Sequence, residues 1–233
     1  MKKIISKVIS KLKNENYELD KNISLLDLMN ICFEKFLMVI RGFYHRFLCK
    51  KSSSLLFVGK KVKIRCHRKI KFKGVATIND YCYINALSNN GITIGKNFTL
   101  GRNSIIECYG VIRNIGEELV IGDNVGISAN AFIGVRGKIN IGSDTIIGPN
   151  FNIHSENHIF NDTKKMIRLQ GELRKGINIG KNCWIGSNVT VLDGVTIGDN
   201  CVIAAGAVVN KDIPDNCVAG GIPAKEIKKI IGR

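Results

Sequence analysis

Residues 179–209, IGKNCWIGSNVTVLDGVTIGDNCVIAAGAVV, decide the fold of this 233-residue chain. An aliphatic residue recurs at every sixth position, often followed by glycine, at Ile179, Ile185, Val191, Ile197, Ile203 and Val209. A period of six is too long for alternation along one strand, and it does not match the 3.6-residue period of a helix. It is typical of a solenoid of short strands joined at corners, in which three hexads complete one triangular coil.

The same spacing extends upstream, where the aliphatic positions are Ile94, Leu100, Ile106 and Ile112, then Ile121, Ile127 and Ile133, then Ile141, Ile147 and Ile153. We expect each of these side chains to point into the solenoid, with the following glycine relieving crowding at the corner. Cys183 and Cys201 lie four residues after a hexad aliphatic, a slot that other small residues also fill. They are therefore predicted to be core residues, and a redox or metal-binding role is the alternative.

The repeat is interrupted between Ile153 and Ile179 by 25 residues, where a continuous repeat would have five. This predicted insertion, about 154–178, holds His154 and His158, two of the four histidines of the chain. Loops of this length in compact domains usually serve function. A neutral imidazole can accept the proton of a reacting hydroxyl. The alternative is that both histidines only support the loop through hydrogen bonds.

The net charge of +16 is concentrated near the N-terminus, because residues 1–73 hold 19 Lys and Arg against 5 Asp and Glu. The remaining body is nearly neutral, so nucleic acid is not an expected partner. Residues 24–48 predict an amphipathic helix whose apolar stripe is Leu25, Met29, Cys32, Phe36, Ile40, Phe43 and Phe47. Such a helix either caps the first coil or, within the basic segment 1–73, binds an anionic membrane surface.

Neither a secretory signal nor a membrane-spanning stretch is apparent, since the lysines of the first 13 residues leave no apolar core of a signal. We therefore expect a cytoplasmic protein with free thiols, either dissolved or held peripherally at the inner face of the membrane. We divide the chain into a basic helical segment (1–55), a solenoid (56–221) and a C-terminal helix (222–233). Pro223 in the first turn favours that last helix.

The combination CWIGSN, IAAGAVVNKDIP and GGIPAKEIKK between residues 183 and 229 is narrower than the hexads alone. With it, residues 90–233 resemble the hexapeptide-repeat acyltransferases, especially sugar and polysaccharide O-acetyltransferases of the galactoside and maltose type. The resemblance implies a mainly β fold, the left-handed parallel β-helix. It also implies a homotrimer that transfers acetyl from acetyl-CoA to a sugar hydroxyl without a metal. The basic, amphipathic N-terminal segment favours an acceptor glycan made at the cytoplasmic face of a membrane, such as a capsule, O-antigen or exopolysaccharide precursor.

Residue by residue, the resemblance makes His158 the catalytic base, with His154 as the alternative, and it matches Asn130 to an asparagine of the acceptor site. We also expect His154 to contact the acceptor. Asn130 could equally stabilise a turn. The positions that match contacts to CoA are Trp184, Ser187, Ala205, Lys211, Lys225 and Lys228.

Other functions remain open on this scaffold. An N-acetyltransferase of an amino sugar and a xenobiotic (antibiotic) acetyltransferase would share the fold and the donor. A non-catalytic solenoid would need none of these residues. A zinc carbonic anhydrase would need three histidines at one interface, so that His45 or His67 would have to join the two in the insertion.

Overall fold

The computed structural model describes residues 2–13, 16–52 and 55–231, apart from the side chains of Lys13, Lys51 and Ser52. Within these ranges the chain forms two α-helices, α1 (Lys2–Lys13) and α2 (Leu25–Leu48), and then a solenoid of short strands. Of the predicted terminal segments, residues 1, 14–15, 53–54 and 232–233 lie outside the described residues.

The solenoid has three parallel sheets, one for each side of the triangular coil. Sheet 1 contains Lys51–Ser52, Ile70–Phe72, Ser88–Ile94, Asn114–Ile121, Ile139–Ile141, Ile177–Ile179 and Thr196–Ile197. Sheet 2 contains Leu56–Val58, Ala76–Ile78, Phe98–Leu100, Gly126–Ile127, Ile146–Ile147, Trp184–Ile185, Val202–Ile203, Cys217–Gly220 and Lys225–Lys229. Sheet 3 contains Lys63–Arg65, Tyr83–Asn85, Ile105–Glu107, Phe132–Gly134, Asn152–His154, Thr190–Leu192 and Val208–Val209. The predicted fold class, a left-handed parallel β-helix, is confirmed.

The hexad aliphatics fill the interior of the coil, as predicted. Ile185, Val191 and Val209 are fully buried, and the equivalent positions of the neighbouring coils are buried with them. Each such side chain contributes about 1.5–3 kcal/mol of burial free energy. Cys183 and Cys201 are buried core residues, and burial raises the pKa of the Cys183 thiol to about 11.

Glycine and asparagine occupy the corners of the coil for different reasons. A Cβ on Gly142 would lie 2.5 Å from the carbonyl carbon of Gly180 in the next coil, so only glycine allows that approach. The left-handed backbone falls mainly on asparagine, which tolerates positive φ better than most residues. The side chains of Asn182, Asn200 and Asn216 then hydrogen-bond from coil to coil at 2.8 Å.

One predicted hexad position is wrong. Ile112 is 84% exposed, because the chain leaves the coil after Cys108 as a hairpin of Tyr109–Val111 against Asn114–Ile121. The second excursion is the predicted insertion, although it is shorter at both ends. Asn152–His154 still belongs to sheet 3, and Ile177–Ile179 resumes sheet 1. Between them lie a 3₁₀ turn, Ile167–Leu169, and a small hairpin.

The C-terminal helix predicted for residues 222–233 is also wrong. Lys225–Lys229 is a strand that pairs antiparallel with Cys217–Gly220. The last parallel strand of sheet 2 has an open edge there, and ladder hydrogen bonds to that edge outweigh the local preference for a helix.

Helix α2 begins after its N-cap Ser24 and lies over the first coil, as the cap interpretation predicted. Its contacts with the coil come from a face beside the predicted stripe, on which Leu28, Met38 and Gly42 are buried. The Arg41 Nε donates to the Val58 carbonyl oxygen at 2.8 Å, and a Cβ on Gly42 would collide with the Leu56 carbonyl oxygen. The predicted stripe is exposed, with Phe36 at 60% and Phe47 at 71%. No helix among the described residues is long and apolar enough to cross a bilayer.

Candidate active site

The candidate site lies at the corner where sheet 3 turns towards sheet 1. Strand Asn152–His154 pairs there with Phe132–Gly134 on one side and Thr190–Leu192 on the other, so His154 lies between Gly134 and Leu192. Its side chain points out of the coil, as predicted, with its ring centroid 5.4 Å from that of Phe132. His154 is therefore part of the rigid wall.

Ser155 fixes the point at which the insertion leaves this wall. It is fully buried, and its Oγ accepts from the backbone N–H groups of Arg136 and Gly137 at 2.9 and 3.0 Å. The same Oγ donates to the Gly134 carbonyl oxygen at 2.9 Å. A small hydroxyl thus ties the start of the insertion to the neighbouring coil.

His158 lies three residues further along, in a two-stranded hairpin formed by Asn157–His158 and Glu172–Leu173. The hairpin pairs His158 directly with Glu172, and the imidazole is exposed. Opposed residues of an antiparallel pair project to the same side. The imidazole therefore projects from the same side of the hairpin as Glu172 and is held on ordered backbone beyond the last strand of the wall.

Four charged side chains brace this hairpin. Glu156 accepts from the Nε of Arg136 at 2.9 Å and from the Nε of Arg174 at 3.3 Å, and Glu172 accepts from the Nη2 of Arg174 at 3.2 Å. We call Arg136, Glu156, Glu172 and Arg174 the ion network. Each of these side chains is at least about four-fifths buried. Two arginines and two glutamates balance, which offsets the cost of burying the charges.

The ion network also joins the two excursions. The Nη1 of Arg174 donates to the Asn114 side-chain oxygen and to the Ile115 carbonyl oxygen, both at 3.0 Å. Glu172 accepts from the Asn114 amide at 2.9 Å. The hairpin at residues 109–121 therefore supports the one that carries His158, a link that the sequence analysis missed.

Both histidines line one cavity of about 600 Å³, together with Glu107, Tyr109, Phe132 and Arg136. This volume suits a small-molecule site. Glu107 occupies the same outward position after its hexad aliphatic as His154 does, so the spacing offered a signal for it. Arg136 carried no such signal, because it lies beyond the strand. Burial raises the pKa of the Glu107 carboxyl.

The residues predicted to contact CoA gather mainly on sheet 2. An outward row in register contains Ile146, Trp184, Val202, Val218 and Lys228. Ile146 and Trp184 are 63% and 60% exposed, which makes this face apolar. Lys225 is exposed on the same last strand, and Ser187 and Ala205 lie at the adjoining corner, where the Gly206 N–H donates to the Ser187 carbonyl oxygen at 2.8 Å.

Two predicted residues lie apart from these groups. Lys211 is exposed after strand Val208–Val209, at the end of sheet 3. Asn130 has a left-handed backbone, φ 63°, at the corner before sheet 3, and its side chain donates to Asn150 at 3.1 Å. That position fits the turn interpretation of Asn130, and its role in acceptor binding stays a prediction.

The remaining two histidines do not join the insertion. His45 of α2 and His67 of the 3₁₀ turn His67–Lys69 hydrogen-bond to each other, Nδ1 to Nε2, at 2.9 Å. Within the described residues, no group of three or more His, Cys, Asp or Glu is arranged around a metal position.

The chain is similar to known transferases in sequence and in fold. The family description "Bacterial transferase hexapeptide (six repeats)" matches residues 176–211. The chain is 32% identical over 168 residues to the protein of Escherichia coli K12 named "Putative lipopolysaccharide biosynthesis O-acetyl transferase WbbJ", covering 69% of this chain and 82% of that one. It is 39% identical over 136 residues to the galactoside O-acetyltransferase of the same strain, covering 58% and 65%.

Across several curated relatives, the matched region spans from 44% to 82% of their length. Among solved structures, the polySia-specific acetyltransferase NeuO superposes with a TM-score of 0.58 at 24% identity, covering 77% of this chain and 82% of that one. That likeness shows a common fold.

Proposed function

This chain belongs to the hexapeptide-repeat acetyltransferases, and we propose that it transfers the acetyl group of acetyl-CoA to a hydroxyl of a sugar or glycan. The observation that carries the proposal is the position of His158. A braced hairpin holds this exposed imidazole at the rim of a cavity large enough for a sugar. The similarity to a galactoside O-acetyltransferase supports a sugar as the acceptor.

His158 acts as the general base in this mechanism. A hydroxyl is a weak nucleophile at neutral pH, so removal of its proton during attack lowers the barrier. The acceptor oxygen bonds to the thioester carbonyl carbon, and the carbon–sulfur bond breaks. The departing thiolate then takes the proton from the imidazolium. No covalent enzyme intermediate is needed, because the thioester is already an activated acyl donor.

The donor lies on the apolar face of sheet 2 in this proposal. Trp184 and Ile146 offer an exposed surface to the pantetheine arm, and the strand Lys225–Lys229 offers cations to the phosphates. Lys225 and Lys228 are both exposed there, so their ammonium groups are free to approach an anion. Ser187, Ala205 and Lys211 complete the proposed donor contacts, and Asn130 and His154 complete the acceptor site.

A homotrimer is part of the proposal. The face with Trp184 and the corner with His158 belong to different sides of the same coil. A second subunit packed alongside would bring its donor face to the histidine hairpin of the first.

Acetyl-CoA consumption by the full-length protein tests the function. The acceptors are neutral glycosides, nucleotide sugars, amino sugars and glycan fragments, and mass spectrometry identifies the product. We expect an added mass of one acetyl group, in an ester that mild base removes. An alkali-stable amide on the amino sugars would indicate N-acetylation, and no transfer to any sugar would reject the proposal.

We further propose that the acceptor is a glycan precursor for capsule, O-antigen or exopolysaccharide, modified at the cytoplasmic face of a membrane. The exposed stripe of α2 supports this location. It leaves Phe33, Phe36, Phe43 and Phe47 more than half exposed beside a segment whose charge is strongly positive. Burial of such a face in an anionic interface adds apolar and electrostatic terms.

Vesicle sedimentation tests that location. The full chain should sediment at low salt with vesicles containing phosphatidylglycerol, and Phe36→Ser combined with Phe47→Ser should prevent it. The control is Tyr81→Ser, which removes an aromatic that is 53% exposed elsewhere on the solenoid. Failure of the unaltered protein to bind at low salt would disprove the membrane location.

A further inference from the structure

Arg136 has one nitrogen without a partner. The residue is 8% exposed, and its Nε and Nη2 face Glu156 and Glu172. Its Nη1 is shielded from solvent and has no hydrogen-bond partner among the described residues. A buried N–H group left unpaired costs about 1–3 kcal/mol. Arg136 also lines the cavity that holds the two histidines, so an unpaired nitrogen lies beside a candidate ligand site.

Glu107 faces the same cavity. Its carboxylate has no ion pair or hydrogen-bond partner in the described part of the chain, and it is only partly buried. In register across sheet 3, Gly134 separates Glu107 from His154. The two residues are therefore about two strand spacings (roughly 10 Å) apart. The ring of Phe132 lies over Gly134, with its Cε1 3.1 Å from the position that a Cβ on the glycine would occupy.

The charges of the cavity argue against an anionic ligand group. The positive charge of Arg136 is already balanced within the ion network, so Nη1 needs an oxygen acceptor but no further negative charge. Glu107 adds an unpaired negative charge, and a carboxylate or phosphate beside it would be repelled. An ionised carboxylate is only an acceptor, so its own partner must be an O–H or N–H donor.

We infer that Arg136 and Glu107 together bind two hydroxyl groups of a neutral sugar ring. One hydroxyl oxygen accepts from Nη1 of Arg136, and another hydroxyl donates to the carboxylate of Glu107. The ring lies in the cavity beside Phe132, with a further hydroxyl towards His158. This deepens the proposed function and rests on it, because it specifies the class of sugar that the site accepts.

Access to Nη1 requires a local shift. Nη1 lies 3.6 Å from the position that a Cβ on Gly110 would occupy, and Gly110 also lines the cavity. Strand Tyr109–Val111 pairs only with the other strand of its hairpin in the described structure. We expect this strand to move aside when the sugar binds.

The test compares matched pairs of methyl glycosides that differ only at C6, galactoside with galacturonide and glucoside with glucuronide. Binding to the full-length protein with CoA is measured by ligand-observed NMR, and acetyl transfer is measured separately. We expect the neutral member of a pair to bind at least about tenfold more tightly. Glu107→Gln should reduce that preference, and Arg136→Lys should weaken neutral binding about tenfold or more with the KM for acetyl-CoA unchanged.

Lys138→Gln is the control, since it breaks an ion pair with Glu118 in which the lysine is half exposed. Arg136→Lys keeps a positive charge beside Glu156. The thermal unfolding of this variant is measured, and if the variant does not fold, the test rests on Glu107→Gln. Three results would overturn the inference. The protein could prefer the acidic glycoside, it could bind neither glycoside, or both variants could bind the neutral glycoside as well as the unaltered protein does. Variant-sensitive neutral binding without acetyl transfer would instead reject the proposed function and leave the sugar site standing.

Discussion

At the scale of single residues, Trp184 is the side chain that best tests the proposed donor face. It lies beside Ile146 on sheet 2 and is 60% exposed, although it is the only tryptophan in the sequence. An aromatic ring in that position gains stabilisation when a ligand covers it.

Trp184→Ala should therefore raise the KM for acetyl-CoA by up to about tenfold, with a smaller effect on kcat. Steady-state kinetics at saturating acceptor give both constants. Tyr81→Ala is the control for loss of an exposed aromatic elsewhere. An unchanged KM for acetyl-CoA would remove Trp184 from the donor site.

Single residues also show where sequence reasoning succeeds. His154 and His158 could be placed because they interrupt a regular repeat. Glu107 could have been found by the same spacing, since it follows Ile106 as His154 follows Ile153. Arg136 could not, because its importance comes from burial and from partners in the insertion, distant in sequence.

At the scale of elements, α2 shows what hydrophobic periodicity can and cannot predict about a helix. Amphipathicity predicted the helix, and its position over the first coil followed the cap interpretation. The stripe richest in apolar residues is not the buried face, because the close approach at Gly42 and the hydrogen bond of Arg41 select the face that holds Leu28 and Met38. The same reasoning explains the C-terminal strand, where an unpaired edge decided the structure.

The contact between α2 and the coil should depend on pH. Burial lowers the pKa of both imidazoles from 6.5, and the neighbouring His67 lowers the pKa of His45 further. The unfolded chain therefore binds more protons than the folded chain as the pH falls below 6.5, so stability is lost towards acid. Above that pH both states are neutral and the effect vanishes.

We expect the midpoint of thermal unfolding to fall between about pH 7.5 and about pH 5.5, and to fall less in His67→Gln. Differential scanning calorimetry of both proteins at the two pH values gives the comparison. All other residues are the same in both proteins, so only the difference is assigned to the pair. Equal shifts in the two proteins would show that the pair contributes nothing.

At the scale of the whole molecule, the separation of the proposed donor face from the histidine hairpin is the reason to expect an assembly. Sedimentation equilibrium at micromolar concentration should give three times the mass of the chain. A variant with Ile146→Lys, which places a charge on the apolar face of sheet 2, should weaken that association. A monomer at the same concentration would contradict the proposed site between subunits.

We propose that the insertion serves to carry a base away from its own wall of the solenoid. His154 remains in sheet 3, whereas His158 lies in the hairpin that the ion network braces. His158→Ala should lower the rate constant for transfer by about 10²–10⁴-fold, as expected for loss of a general base. The affinity for CoA, measured by calorimetry, should change little, because the imidazole contacts the acceptor hydroxyl.

His154→Ala is the comparison variant within the same motif, and it should cost much less turnover, because His154 helps to order the loop and the acceptor but does not take the proton. The decisive measurement is the turnover of acetyl-CoA by these two variants side by side, on the acceptor with the highest activity. We expect His158→Ala to be inactive and His154→Ala to be active. An inactive His154→Ala beside an active His158→Ala would contradict this expectation.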